Sequence, residues 1–100
     1  MRVVSKTVLL AFCDKHPIAR QALLAWYEEA VKAVVMTPQG INARYSTAGF
    51  VGRNRVVFNI NGNDYRLIVA IASRIGVVDI KFIGTLGEYD RIDAETIELA

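Results

Sequence analysis

Phe58-Asn-Ile-Asn-Gly-Asn-Asp-Tyr-Arg-Leu-Ile-Val-Ala-Ile71 is the stretch whose reading decides the fold, because it holds two apolar alternations separated by a turn signal. Asn61-Gly62 reads as a two-residue turn of the primed type, both residues tolerating positive φ. Such a loop predicts Ile60 opposite Asn63, Phe58 opposite Tyr65 and Val57 opposite Arg66. Val56, Phe58 and Ile60 then share a face with Tyr65, Leu67, Val69 and Ile71, the side that packs on a core. Asn59 and Arg66 belong to the other face. An arginine mid-strand among apolar neighbours is the first residue that looks placed for chemistry.

A second hairpin follows. Ser73 to Gly76 reads as a four-residue loop, pairing Ala72 with Val77, Ala70 with Asp79, Ile68 with Lys81 and Arg66 with Ile83. Val78, Ile80 and Phe82 are then expected on the core face, with Asp79 and Lys81 beside Arg66. That register makes Arg66 and Lys81 diagonal neighbours, roughly 7–8 Å apart at the backbone and within reach of one phosphate. Thr85-Leu86-Gly87-Glu88 has the spacing of a capping box and starts a short helix carrying Glu88, Tyr89 and Asp90. Asp93 is placed to cap a final turn.

Towards the start of the chain, Arg2 to Val4 suits a short strand. Ser5 suits the N-cap of a helix over Lys6 to Lys15 with Val8, Leu9 and Phe12 as its apolar face. His16-Pro17 ends it, since a residue before proline avoids the helical region. A second helix from Pro17 to about Val34 carries the stripe Ala22, Leu23, Trp26, Tyr27, Ala30 and Val34. Thr37-Pro38 reads as cap and first position of a helical turn near Gln39 to Arg44. Strands are expected at about 49–60, with a break near Gly52, then 64–72 and 77–83. The fold class is therefore α+β, β-α-α-β-β-β-α, with helices on one face of an antiparallel sheet.

The 100 residues are 53% hydrophobic and 22% charged, which suits one domain spanning 1–100 and excludes a disordered chain. No apolar run approaches the ~18 residues of a spanning helix, and the first twelve residues make a poor secretory signal. The single cysteine, Cys13, points to a reducing compartment, most simply the cytoplasm. A net charge of +2 excludes a strong electrostatic nucleic-acid binder, although four arginines and one aspartate lie between Arg44 and Arg66. No Ser-His-Asp, Walker or zinc pattern appears, so neither metal nor other cofactor is expected.

Val51-Gly-x-Asn-Arg-Val-Val-Phe-Asn-Ile60, Asn63-x-Tyr-Arg-Leu67 and Gly84-Thr-x-x-Glu-Tyr-Asp-x-Ile-Asp-Ala94 resemble HigB-type toxins of the RelE/ParE superfamily. Ser5-Lys6, Lys15-His16-Pro17 and Ala25-Trp26-Tyr27 fit the same family, so the likeness covers essentially the whole chain. The resemblance implies a RelE-like fold and a cytoplasmic endoribonuclease that cuts mRNA on the ribosome. It also implies a cognate helix-turn-helix antitoxin (HigA-type), with operator DNA engaged only through that antitoxin, and no membrane partner. The family motif commonly has histidine where this chain has Leu86, and leucine carries no protons. That substitution fits a weakened or inactive toxin, a variant using another acid, or a change introduced so that a toxic protein can be produced.

Metal-free RNA cleavage needs a base for the 2′-hydroxyl, cations for the phosphate, and an acid for the leaving 5′-oxygen. Arg66 suits the phosphate, and Lys81 can share it. Tyr89 can stack on a base or give a proton, and Glu88 is a base if its surroundings raise its pKa, although capping competes with that role. Arg44, Arg53, Arg55 and Asn59 are candidate RNA contacts. Plainer readings stand beside these: Arg66 and Lys81 paired with Asp64 and Asp79, Asn59 paired with Asp64, Tyr89 and Trp26-Tyr27 in packing, His16 a helix-end dipole partner. Three functions remain open at this level: a ribosome-dependent nuclease, a non-catalytic co-repressor that binds its antitoxin, and a toxin of the same fold acting on a target such as DNA gyrase.

Overall fold

The computed structural model describes residues 1–34 and 36–99. In chain order these form β1 (Arg2–Val4), α1 (Lys6–Lys15), a 3-10 turn (Pro17–Ala19), α2 (Arg20–Lys32), α3 (Pro38–Arg44), β2 (Gly49–Val51), β3 (Arg55–Ile60), β4 (Tyr65–Ala72), a second 3-10 turn (Ser73–Ile75), β5 (Val77–Thr85) and α4 (Leu86–Tyr89). The expected break near Gly52 is real: Gly52 has φ +64, and the chain turns there between β2 and β3.

The strands form one sheet in the order β1-β5-β4-β3-β2. It is mixed rather than antiparallel, because β1 runs parallel to β5, with Val3 against Val78. The reason is connectivity: α1 and α2 carry the chain away from β1, and β5 returns beside it much later. The central three strands are antiparallel.

Both hairpin registers differ from expectation. Ile60 pairs with Tyr65, Asn59 with Arg66 and Phe58 with Leu67, so the loop spans four residues, 61–64. Asn61 and Gly62 do take positive φ (54° and 69°), but Asp64 closes the turn. Its backbone N–H donates to the Asn61 carbonyl at 3.3 Å and its carboxylate accepts from Asn61 Nδ2 at 2.9 Å. The shift is two residues, which preserves every face assignment. In the second hairpin Ala72 pairs with Val77 and Ala70 with Asp79 as expected, and then Lys81 is bulged out. Beyond it Ile68 meets Phe82, Leu67 meets Ile83 and Arg66 meets Gly84. A one-residue bulge exchanges faces, so Ile83 turns to the core and Phe82 turns away from it.

The main core lies between the helices and one sheet face. Leu9 and Cys13 of α1, Leu23, Trp26 and Ala30 of α2, and Ile41 of α3 pack against Phe58, Leu67, Val69, Val78 and Ile80. Helix ends differ in detail from the sequence reading. Thr37 caps α3 by accepting from the Gly40 N–H at 3.0 Å. Ser5 precedes α1 with φ 76° and makes no side-chain cap. Val34 lies beyond α2 and is 93% exposed, so the apolar stripe ends at Ala30. On the opposite sheet face Val57 and Ile68 are also buried.

Candidate functional site

The sheet face opposite the helices carries three cross-strand rows. Asn59, Arg66 and Gly84 form one, Val57, Ile68 and Phe82 the middle one, and Arg55, Ala70 and Asp79 the third. The outer rows are four residues apart along β3, roughly 13 Å at strand rise. Residues 92–98 run over the third row, where Arg55 Nη1 donates to the carbonyls of Ala94 (3.2 Å) and Ile97 (2.6 Å). The turn that starts this segment is capped by Asp93, as its sequence suggests, with its carboxylate accepting from the Glu95 N–H at 2.9 Å.

Arg66 keeps the place the sequence assigns it. Its Nη1 donates to the carbonyls of Asn63 and Tyr65, each at 3.1 Å, and Nη2 reaches Asn63 Oδ1 at 3.4 Å. The guanidinium stands 5.9 Å from the centroid of the Tyr89 ring, a cation–π distance. Among the described residues no carboxylate forms a salt bridge with Arg66; the expected pair with Asp64 gives way to the Asp64–Asn61 bond. Asn59, directly across the strand, donates from Nδ2 to Asn63 Oδ1 at 3.3 Å, not to Asp64. Asn63 thus links Asn59 to Arg66, a role the sequence reading missed although Asn63-x-Tyr-Arg was part of the motif.

Lys81 does not converge on Arg66. The bulge places Gly84 across from Arg66, three residues beyond Lys81, roughly 10 Å along the strand. Lys81 Nζ instead binds Glu98 Oε1 at 2.6 Å and Asp79 at 3.1 Å, and those bonds raise its pKa. Arg55, only 10% exposed at its side chain, holds Glu98 Oε2 at 2.5 Å. Glu98, which no motif singled out, therefore bridges two of the cations expected to meet RNA.

The capping box forms as read. Glu88 N–H donates to Thr85 Oγ1 at 3.2 Å, and the Thr85 N–H donates to Glu88 Oε1 at 2.8 Å. That backbone bond holds the Glu88 carboxyl below its ordinary range, with the charges of His16 and Lys15 adding to it. A depressed pKa runs against the base role, which needed a raised one, and the two capping bonds match the competing role. Leu86 begins α4 and is 40% exposed, its N–H donating to the Asp64 carbonyl at 3.2 Å. At Gly84 an added Cβ would lie 2.5 Å from Phe82 Cζ and 3.1 Å from Glu88 Oε1, so those side chains would have to shift to admit one.

The remaining candidates lie elsewhere. Arg44 binds Glu29 on the helical side at 2.5 Å, and the same carboxylate accepts from the Tyr45 hydroxyl at 2.6 Å. Burial and that hydrogen bond push the Tyr45 phenol well above its ordinary range. Arg53 is exposed in the turn between β2 and β3, at the far end of β3 from Asn59. His16 donates its backbone N–H to the Phe12 carbonyl at 2.8 Å and stacks on the Phe12 ring at 4.4 Å, beside Tyr65. Cys13 is buried in the core, which raises its thiol pKa.

No helix among the described residues is long and apolar enough to cross a membrane. No curated protein matches the chain. Residues 19–92, from the end of the first 3-10 turn to just past α4, match the family model described as HigB_toxin, RelE-like toxic component of a toxin-antitoxin system. That span contains Asn59, Asn63, Arg66, Gly84 and Tyr89, and it covers about three quarters of the sequence. The chain belongs to the HigB toxin family, the RelE-like toxic components of toxin-antitoxin systems.

Proposed function

We propose that this toxin is an endoribonuclease that cuts mRNA on the ribosome, with Arg66 gripping the scissile phosphate and Tyr89 stacking on a neighbouring base. The observation that carries this reading is the state of Arg66. It is half-buried, oriented by two backbone carbonyls and Asn63, set beside an aromatic ring, and free of any carboxylate partner among the described residues. A guanidinium with neutral partners keeps its charge available for a phosphate. Asn59 lies next to it to orient a ribose or phosphate oxygen. Arg53 is an exposed cation for the flanking strand, and Arg44 belongs to the helical side.

The same reading gives the chain a RelE-like topology in one domain, a cytoplasmic setting, and a HigA-type helix-turn-helix antitoxin through which alone it meets operator DNA. Nothing in the residues calls for a cofactor. With a net charge of only +2, long-range attraction for free RNA is weak, and the ribosome supplies the positioning. Arg66→Ala should lower cleavage on programmed ribosomes by a factor equivalent to ~1–3 kcal/mol while leaving the circular dichroism spectrum unchanged. Parental cleavage by a folded Arg66→Ala variant would remove Arg66 from the site.

A second reading is favoured by a specific observation. Leu86 stands in the family's histidine position, and the Glu88 carboxylate is engaged by the Thr85 N–H at 2.8 Å, so α4 offers no imidazole to carry a proton. A chain with that helix can bind its antitoxin and act as co-repressor without cutting RNA. Parallel assays of ribosomal cleavage and antitoxin affinity separate the two.

A further inference from the structure

Arg55 and Lys81 were both expected to face RNA, yet Glu98 holds the two together, and Asp79, on the same strand as Lys81, binds Lys81 as well at 3.1 Å. Arg55 Nη2 holds Glu98 Oε2 at 2.5 Å, while Lys81 Nζ holds Oε1 at 2.6 Å. Each oxygen of the carboxylate thus has its own cation, the arrangement in which the two non-bridging oxygens of a phosphodiester would sit. The cations are the shielded partners, with side chains 10% and 18% exposed, and Glu98 is the solvent-facing one at 59%. The Glu98 carboxyl is accordingly held below its ordinary range, first by Lys81 and then by Arg55, and stays charged.

Residues 92–98 have anchors besides Glu98. Arg55 Nη1 keeps the Ala94 and Ile97 carbonyls, and Asp93 keeps its own turn, so the Glu98 side chain can swing outward without releasing residues 93–97. Water and salt reach the exposed Glu98 carboxylate and compete there with its two cations. The seat lies on the same sheet face as Arg66, beyond the apolar row of Val57, Ile68 and Phe82.

We propose that Arg55 and Lys81 form a second phosphate seat on this face, and that Glu98 fills it as a built-in competitor which an RNA strand must displace. The proposal rests on the RNA-cutting reading for its ligand. It assigns to these two cations the strand flanking the cleavage point, and to residues 92–98 a damping of binding to free RNA. On the ribosome, where a held message presents its backbone at high local concentration, displacement becomes easy.

The test measures binding of a short fluorescein-labelled single-stranded RNA to the full chain by anisotropy at low salt. Four forms are compared: parent, Glu98→Gln, Glu95→Gln and Glu98→Gln/Lys81→Gln. Glu95 supplies the charge-matched control, since it belongs to the same segment and pairs with neither cation. Glu98→Gln should tighten binding about tenfold, the size of one additional charge-assisted hydrogen bond to the RNA. Glu95→Gln should change it less than about twofold, and the double variant should return to the parental value. The proposal is overturned if Glu98→Gln binds like parent or like Glu95→Gln, or if its tighter binding survives loss of Lys81. It is equally overturned if Glu98→Gln fails to fold, because the carboxylate would then be a fastener and not a displaceable occupant. Arg66→Ala separates the two claims: parental cleavage there with tighter binding by Glu98→Gln removes the Arg66 assignment and leaves the seat, and the reverse pattern removes the seat alone.

Discussion

Replacing Gly84 by alanine should destabilise this protein by about 1–3 kcal/mol, the usual cost of overpacking a filled site. The magnitude follows from the three atoms the new methyl meets. It would stand 2.5 Å from Phe82 Cζ, 3.0 Å from Phe82 Cε2 and 3.1 Å from Glu88 Oε1. Carbon atoms prefer about 3.5–4.0 Å, so the Phe82 ring must retreat by roughly an ångström over Ile68, which is completely buried. Alternatively Glu88 swings away and gives up the bond from the Thr85 N–H. Backbone strain is no part of this, since Gly84 is not among the residues with positive φ. Urea unfolding followed by fluorescence of the buried Trp26 reads the stability, and melting should fall by about 4–8 °C for each kcal/mol lost. Gly49→Ala is the control: it has nothing within 4 Å of the new methyl, and its stability should stay within about 0.5 kcal/mol of parent or rise slightly. In a Phe82→Ala background the Gly84→Ala change should cost far less, because the ring it collides with is gone. If Gly84→Ala matches Gly49→Ala, or if its cost is unchanged without Phe82, the argument for a ring held over this glycine fails. Because Gly84 faces Arg66 and leads into α4, the folded fraction of Gly84→Ala should also lose RNA cleavage.

Thr85→Ala removes the capping box at α4 and should cost about 0.5–2 kcal/mol at neutral pH in a urea titration. The Glu88 carboxyl is depressed, so its stabilisation is present above the ordinary carboxylate pKa of about 4.3 and is lost as pH falls through the folded value; the gap between parent and Glu88→Gln should close in acid. Tyr45 shows the opposite sign: its raised phenol stabilises fully below the ordinary value of about 10, and the gap between parent and Tyr45→Phe should narrow as pH climbs above it, measured by thermal melts at stepped alkaline pH. Leu86→His should raise mRNA cleavage on ribosomes by on the order of 10²–10⁴ if a proton passes at that position, with antitoxin affinity little changed; equal strong cleavage by both forms would show that position 86 takes no part.

The alternation around Asn61-Gly62 determined the two faces of β3 and β4 from sequence alone, and it survived a wrong register. A period of two is insensitive to a slip of two residues, so Phe58 and Leu67 stay inside while Asn59 and Arg66 stay outside. The capping box at Thr85, the cap at Thr37 and the break at Gly52 were equally legible, because each depends on residues within four positions of one another. The bulge at Lys81 was not. Its neighbours fit either face, and only packing on both sides of the sheet decides that Ile83 turns in and Phe82 turns out. The parallel pairing of β1 with β5 and the seating of Glu98 between Arg55 and Lys81 join residues far apart in the chain. Local pattern carries no information about such contacts. Tertiary structure therefore split the predicted cations into an available Arg66 and an occupied Arg55–Lys81 pair, a division set by where residues 92–98 come to rest.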